Sequence, residues 1–289
     1  VKSKLGHLRS LVFFGLALFA VLALLTACGG DGRGTNNNVL AAVSHAVGLA
    51  EDAAPTAEMI DLVVDASEGS PASLATVEAT VNTVLPYAAA RPGSEVRLWA
   101  LGLELSDTRL LATVRSTAPK RHGERARKAE AQRFIDAAKP VLMQAVTPVF
   151  ERAAKKQSPI AEGISRVAYS RASAGMLRHI IVITDARQVG GVLKFDFECF
   201  AVPEPAIFVA RLQANAILAP KTLANTSIHF AYVALEPVPK RRGCPVTLAR
   251  AQQIESAWRA AFTAAGASAV SFTTDVPRWD EQPKVGGAS

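Results

Sequence analysis

Apolar positions change their period several times along the chain, and each change marks an element. Met59–Ala66 (MIDLVVDA) is a short, nearly continuous apolar run, the pattern of a strand covered on both faces within a parallel sheet. Leu74, Val77, Val81, Val84 and Leu85 recur at three- and four-residue steps, which predicts an amphipathic helix over Leu74–Ala90. Arg91-Pro92-Gly93-Ser94 reads as a turn, Glu95–Gly102 as the next strand, and Thr108–Ser116 as a short neighbour returning antiparallel after Ser106-Asp107. Lys120 to Lys156 is a long helical stretch, with breaks expected at Pro140 and Pro148 because proline removes a rung of the helix ladder. Ser158-Pro159 restarts a helix through Arg171, with Pro159 suited to the first helical position. Arg178–Ala186 (RHIIVITDA) is the clearest strand. Beyond it, Gly190–Phe200 fits a hairpin, Ala206–Ala219 a helix, Ser227–Leu235 a strand, Thr247–Ala265 an amphipathic helix and Ala269–Thr274 a last strand.

Strands that alternate with helices predict an α/β fold: a doubly wound, mainly parallel central sheet with helices on both faces. Ligands of such sheets bind beyond the carboxyl ends of the strands. The search for chemistry therefore narrows to the residues just after Val64, Leu101, Ile183 and Leu235.

The first 38 residues follow a different pattern. Lys2, Lys4 and Arg9 precede the apolar run Leu11–Leu25, and Leu25-Thr26-Ala27-Cys28 closes it. A basic region, a short apolar region and a small residue before the cleavage point make a secretory signal over residues 1–27. The Leu-Thr-Ala-Cys ending resembles the lipobox of bacterial lipoproteins, which implies that the Cys28 thiol carries a diacylglyceryl group. Residues 28–38 then form a Gly- and Asn-rich tether too polar to bury apolar area. The expected location is the cell envelope, on the extracytoplasmic or periplasmic side, with the chain held to the bilayer through acylated Cys28. Residues 39–289 are read as a single domain, with a helical insertion near 118–157.

Composition adds bounds. Hydrophobic residues make up 49% and charged residues 20% of the 289 residues, an ordinary globular balance. The net charge of +7 includes Lys2, Lys4 and Arg9, so the remaining excess is mild. It concentrates at Arg115, Lys120, Arg121, Arg125, Arg127, Lys128 and Arg133, which reads as a solvated helix face with anionic lipid headgroups as the alternative contact. That stretch lacks aromatic residues, and with export it argues against nucleic acid. Besides Cys28 the chain has Cys199 and Cys244, an even pair that export would oxidise to a disulfide. The bridge would close a loop of about 45 residues and contribute roughly 3–4 kcal/mol in the chain-entropy model.

Two strand ends carry the candidate chemistry. The first strand runs into Asp65-Ala66-Ser67-Glu68-Gly69-Ser70, and the strongest strand into Thr184-Asp185, while Ser158-Pro159-Ile160-Ala161-Glu162-Gly163-Ile164 opens a helix. With Glu255–Gly266 (ESAWRAAFTAAG), these segments resemble the von Willebrand factor A domain family over about Met59–Val276. The resemblance implies a metal-ion-dependent adhesion site in which Asp65 and Ser67 match the first two members of the Asp-x-Ser-x-Ser motif. Ser158 stands where a Thr is expected, and Asp185 matches the later Asp. Gly69 occupies the second Ser position, with Ser70 one place beyond, so a bulge in the loop is needed to bring Ser70 in. The implied cofactor is Mg²⁺ or another divalent cation, a hard ion that takes oxygen ligands. Absent a metal, Asp65 and Ser67 would cap the helix that follows.

No nucleophile elbow, P-loop, dinucleotide fingerprint or zinc spacing appears in the sequence. His45, His122, His179 and His229 lie apart without ligand spacing, and a non-enzymatic role is expected. The functional expectation is a membrane-anchored binding module that engages an acidic group on a protein partner through a divalent cation. A metal-free scaffold of an envelope assembly is the alternative, and a hydrolase using a metal with Asp65 or Asp185 a third.

Overall fold

Seven consecutive residues, Glu58–Val64, form strand β1 and every one of them is buried. In chain order there follow α1 (Leu74–Ala89), β2 (Glu95–Ala100), β3 (Arg109–Arg115), α2 (Glu124–Phe150), α3 (Ile160–Tyr169), β4 (Leu177–Ile183), α4 (Pro205–Ala214), β5 (Thr226–Ala231), α5 (Leu248–Ala264) and β6 (Ala269–Phe272). The computed structural model describes residues 56–67, 70–102, 107–117, 123–151, 158–170, 176–188, 190, 202–233 and 248–276. The chain divides into two units, Val1–Ala54 and Pro55–Ser289. The signal, Cys28, the tether, Cys199, Cys244, the hairpin expected after Gly190 and both ends of the 118–157 insertion lie outside the described residues. Among the described residues no helix is long and apolar enough to cross a membrane.

The six strands form one sheet in the order β3-β2-β1-β4-β5-β6. All neighbours pair in parallel except β2 with β3, which are antiparallel. The fold is thus a doubly wound α/β sheet. The order reverses between β1 and β4, where the chain leaves one half of the sheet and enters the other, and that reversal opens a crevice.

Strand periodicity sorts the core into two layers. Ile60, Leu62, Val64, Leu98, Ile181 and Ile183 face α1 and α2, meeting Val77, Val81, Val84, Leu85, Leu142 and Val146. Val63, Ile180, Val182, Ile228 and Phe230 face α3, α4 and α5, meeting Ile164, Phe208, Leu212, Trp258 and Phe262. In that second layer the rings of Phe208 and Trp258 meet edge to face at 5.2 Å. Each large side chain fully removed from water contributes about 1.5–3 kcal/mol.

The long insertion departs from expectation. Helix α2 runs unbroken from Glu124 to Phe150 through both Pro140 and Pro148. Both prolines sit on its exposed side, and the carbonyls they release belong to Asp136 and Gln144, also exposed, so water can serve them. On the opposite side Ala138, Leu142 and Val146 are buried at four-residue steps, and that packing holds the helix together. Arg125, Arg127, Lys128 and Arg133 are all exposed, with Lys128 paired to Glu124 at 2.8 Å.

Candidate functional site

The sheet carries Asp65 and Thr184 to the crevice. Backbone ladders continue one residue past the strands: the Asp65 N–H donates to the Ile183 carbonyl at 3.1 Å and the Leu101 N–H to the Val64 carbonyl at 3.0 Å. Asp65 therefore emerges at the end of β1 beside the end of β4, at the reversal of strand order. Its side chain lies on the α3 face with Val63, where it is 1% exposed.

Three donors converge on this carboxylate. Oδ2 accepts from the Ser158 hydroxyl at 2.6 Å and from the Thr184 hydroxyl at 2.7 Å. Oδ1 accepts the Ser67 N–H at 3.1 Å. The Thr184 oxygen in turn accepts the Ala186 N–H at 3.2 Å, which fixes its rotor. One carboxylate thus ties together the loop after β1, the start of α3 and the end of β4. Burial pushes the Asp65 carboxyl above its ordinary value, and the hydrogen bonds from Ser158, Thr184 and Ser67 oppose that shift only in part. Among the described residues, the groups that hydrogen-bond Asp65 are hydroxyl and amide dipoles, with no cationic side chain.

The sequence reading placed five residues at a metal, and the structure sorts them. Asp65 and Ser158 are in direct contact, and Ser67 reaches Asp65 through its backbone N–H. The Ser70 N–H donates to the Ser67 carbonyl at 3.1 Å, while its hydroxyl accepts the Ala72 N–H at 3.2 Å. That turn leads into α1, which Ser73 and Thr76 cap reciprocally. Asp185 turns toward its own loop: Oδ1 accepts the Arg187 N–H at 3.0 Å, and Oδ2 lies 3.8 Å from Arg187 Nε. Among the described residues no three His, Cys, Asp or Glu side chains gather as a metal-holding group. The donor set at Asp65 is instead one carboxylate with hydroxyls.

Three participants were not foreseen. Thr184 supplies a hydroxyl where the sequence reading drew attention to Asp185. Glu162, in the first turn of α3, is 5% exposed and accepts from Gln188 Nε2 at 2.7 Å through Oε2. Its Oε1 has no hydrogen-bond partner among the described residues. Gln188 also accepts the Ala161 N–H at 2.9 Å, serving the cap role that Pro159 cannot fill with a side chain. A Cβ on Gly190 would lie 2.5 Å from both Gln188 Nε2 and Glu162 Oε1, so a larger residue there would displace the ends of these two side chains. The polar loop Thr184–Gln188 following so apolar a strand was the signal available.

Below the site, β1 carries a second buried acid. Asp61 is fully buried; Oδ1 accepts from Arg97 Nε and Trp99 Nε1, both at 2.7 Å. Oδ2 accepts from Arg97 Nη2 at 2.9 Å and Arg178 Nε at 2.7 Å. Arg178 also donates to the Ala168 carbonyl at 3.0 Å and to that of Val167, at the last turn of α3. Burial lowers the Arg178 guanidinium below its ordinary value, with Asp61 opposing. Helix α3 is accordingly strapped to β1 at both ends, through Ser158–Asp65 and Arg178–Asp61.

The histidines within strands are core residues. His179 and His229 are buried and stack at 5.8 Å. His179 Nε2 lies 3.0 Å from Glu58 Oε2, which also accepts from Tyr87 at 2.6 Å. Burial alone would raise Glu58; the contacts of His179, Tyr87 and Arg91 outweigh it and leave the carboxyl below its ordinary value. Burial, with His179 adding, pushes His229 down to about 3. No protein-family model matches this chain, and no characterised protein is significantly similar to it.

Proposed function

We propose that this chain is a membrane-anchored, extracytoplasmic binding module with a von Willebrand A-like fold, in which the Asp65 centre takes a divalent cation and engages an acidic group of a protein partner. The observation that supports this most is the buried Asp65 carboxylate at the strand-order reversal, with the Ser158 and Thr184 hydroxyls on a single oxygen. The residues fit a hard cation: every donor is oxygen, and the carboxylate sits without a countercharge among its close partners. Asp65, Ser67, Ser158 and Thr184 would hold the ion, with Asp185 in support through water. Bound there, the cation supplies Lewis acidity and positive charge that hydroxyl ligands do not cancel, leaving an attraction for a carboxylate. The strand order, with a single antiparallel strand at one edge, agrees with the fold that the resemblance implies.

Thermal unfolding with and without Mg²⁺ or Mn²⁺ tests the cation. At about one hundred times Kd the ion stabilises the folded chain by about 2.7 kcal/mol, or roughly 5–10 °C in a domain of this size. The shift is expected in the native chain and absent in Asp65→Ala. Equal midpoints with and without cation in the native chain refute the metal.

A second reading, a metal-free scaffold in an envelope assembly, draws on one observation: both Asp65 oxygens already accept hydrogen bonds. Under it, Asp65→Ala lowers stability and no cation changes either protein. Cation-independent capture of a defined envelope complex would favour this reading.

A further inference from the structure

A second surface lies away from the Asp65 centre, where edge strand β3 passes the last turn of α3. A cleft of about 420 Å³ opens there, lined by Trp99, Arg109, Leu110, Arg166 and Tyr169 among others. Trp99 is its buried floor, while Leu110 and Tyr169 are 45% and 58% exposed. Large side chains exposed side by side around a concavity mark a contact surface more than isolated ones do.

A β-bulge builds this surface. Leu98 pairs with Ala112 but Trp99 pairs with Leu110, so Leu111 is the extra residue in β3. Bulges re-aim side chains, and this one places Leu110 opposite Trp99 on the α3 side of the sheet while Leu111 packs with the other layer. Without the bulge, strict alternation would exchange the two leucines. The same irregularity disfavours simple strand addition along β3, so the surface recognises side chains more than backbone.

Its charge is one-sided. Arg109 and Arg166 are both exposed, and neither has a hydrogen-bond or ion-pair partner among the described residues. Arg115, farther along β3, is by contrast paired with Glu95. Two free guanidinium groups flanking an apolar floor match carboxylates on either side of an apolar anchor.

We infer that the cleft between β3 and α3 is a docking site for an acidic segment of a protein partner, with an aromatic or aliphatic residue seated on Trp99 between Leu110 and Tyr169 and flanking carboxylates on Arg109 and Arg166. The inference does not depend on a cation at Asp65, and it is tested in the presence of EDTA so that the two stand or fall separately.

The probe is a panel of fluorescein-labelled peptides of Asp and Glu with one Phe, Tyr, Trp or Leu moved through each position, titrated against the full chain by anisotropy. Lys-based peptides of the same length serve as controls. Acidic peptides with a central anchor are expected to bind most tightly. Arg109→Glu and Arg166→Glu each weaken that binding about three- to tenfold, and Leu110→Ala and Tyr169→Ala do the same. Raising the salt from about 0.1 to 1 M, which shortens the screening length from about 10 to 3 Å, weakens it further. All four positions are exposed, so unchanged thermal midpoints verify folding. Absence of any preference for acidic over basic peptides overturns the inference, as does binding indifferent to both arginine reversals. Arginine-dependent binding to phosphatidylglycerol vesicles without binding to any acidic peptide also overturns it, in favour of a lipid-facing surface.

Discussion

Replacing Asp61 by Asn keeps the shape of the side chain and removes one charge from the middle of the sheet. In the native chain that carboxylate is fully buried and accepts four hydrogen bonds, three from guanidinium groups of Arg97 and Arg178 and one from Trp99. Both arginine side chains are themselves nearly sealed from water, at 8% and 5% exposure. Asparagine leaves two positive charges close together without the carboxylate they share, and its amide NH₂ faces a donor. Breaking a buried ion pair from one side costs about 3–5 kcal/mol, a large part of the 5–15 kcal/mol typical of a folded domain. With a urea dependence near 2 kcal/mol per molar, the unfolding midpoint of Asp61→Asn falls by about 2 M. Arg97→Met and Arg178→Met each remove a donor from Asp61 and lower stability in the same direction, and Arg178→Met also strips hydrogen bonds from the last carbonyls of α3. Equilibrium urea unfolding followed by tryptophan fluorescence measures all three. A loss below about 1 kcal/mol for Asp61→Asn, with an unchanged slope, refutes the view that this cluster holds α3 to the sheet.

Two further outcomes follow from burial. His229 sits near 3 in the folded chain against 6.5 when free, so the unfolded state binds a proton first, and stability is lost as pH falls from about 6.5 toward 3. His229→Phe removes that contribution, and its stability relative to the native chain should rise across this window in urea titrations at stepped pH; a constant difference refutes the assignment. At the start of α3, a Cβ on Gly163 would collide with Leu101 Cδ2 and meet Thr108 Oγ1 at 3.4 Å. Gly163→Ala therefore costs about 1–3 kcal/mol through overpacking, and a stabilised variant in thermal unfolding would show that the helix can lift from the sheet freely.

How much of this was written in the sequence varies element by element. The nearly continuous apolar run of β1 announced a strand buried on two faces, β4 was the clearest strand, and the alternation with helices announced a parallel sheet, because period and burial are local properties of the chain. Asp65 was legible as an acid where a strand ends. Thr184 and Gln188 were not, because their partners lie 119 and 26 residues away, and only the pairing of Val64 with Ile183 brings the ends of β1 and β4 together. Pro140 and Pro148 were read as breaks because their cost is local, while the Ala138–Leu142–Val146 stripe that outweighs it acts only against α1 and the sheet. Asp61 lies inside the run MIDLVV, which was read only as an apolar strand. Its two arginines could be chosen only by the registers that set Asp61 beside Arg97 and near Arg178. The sequence by itself thus determined which segments become strands and helices and which face each buries. Tertiary structure alone decided which polar groups meet, since a buried charge is stabilised by whatever the sheet places within hydrogen-bond reach, whatever its distance along the chain.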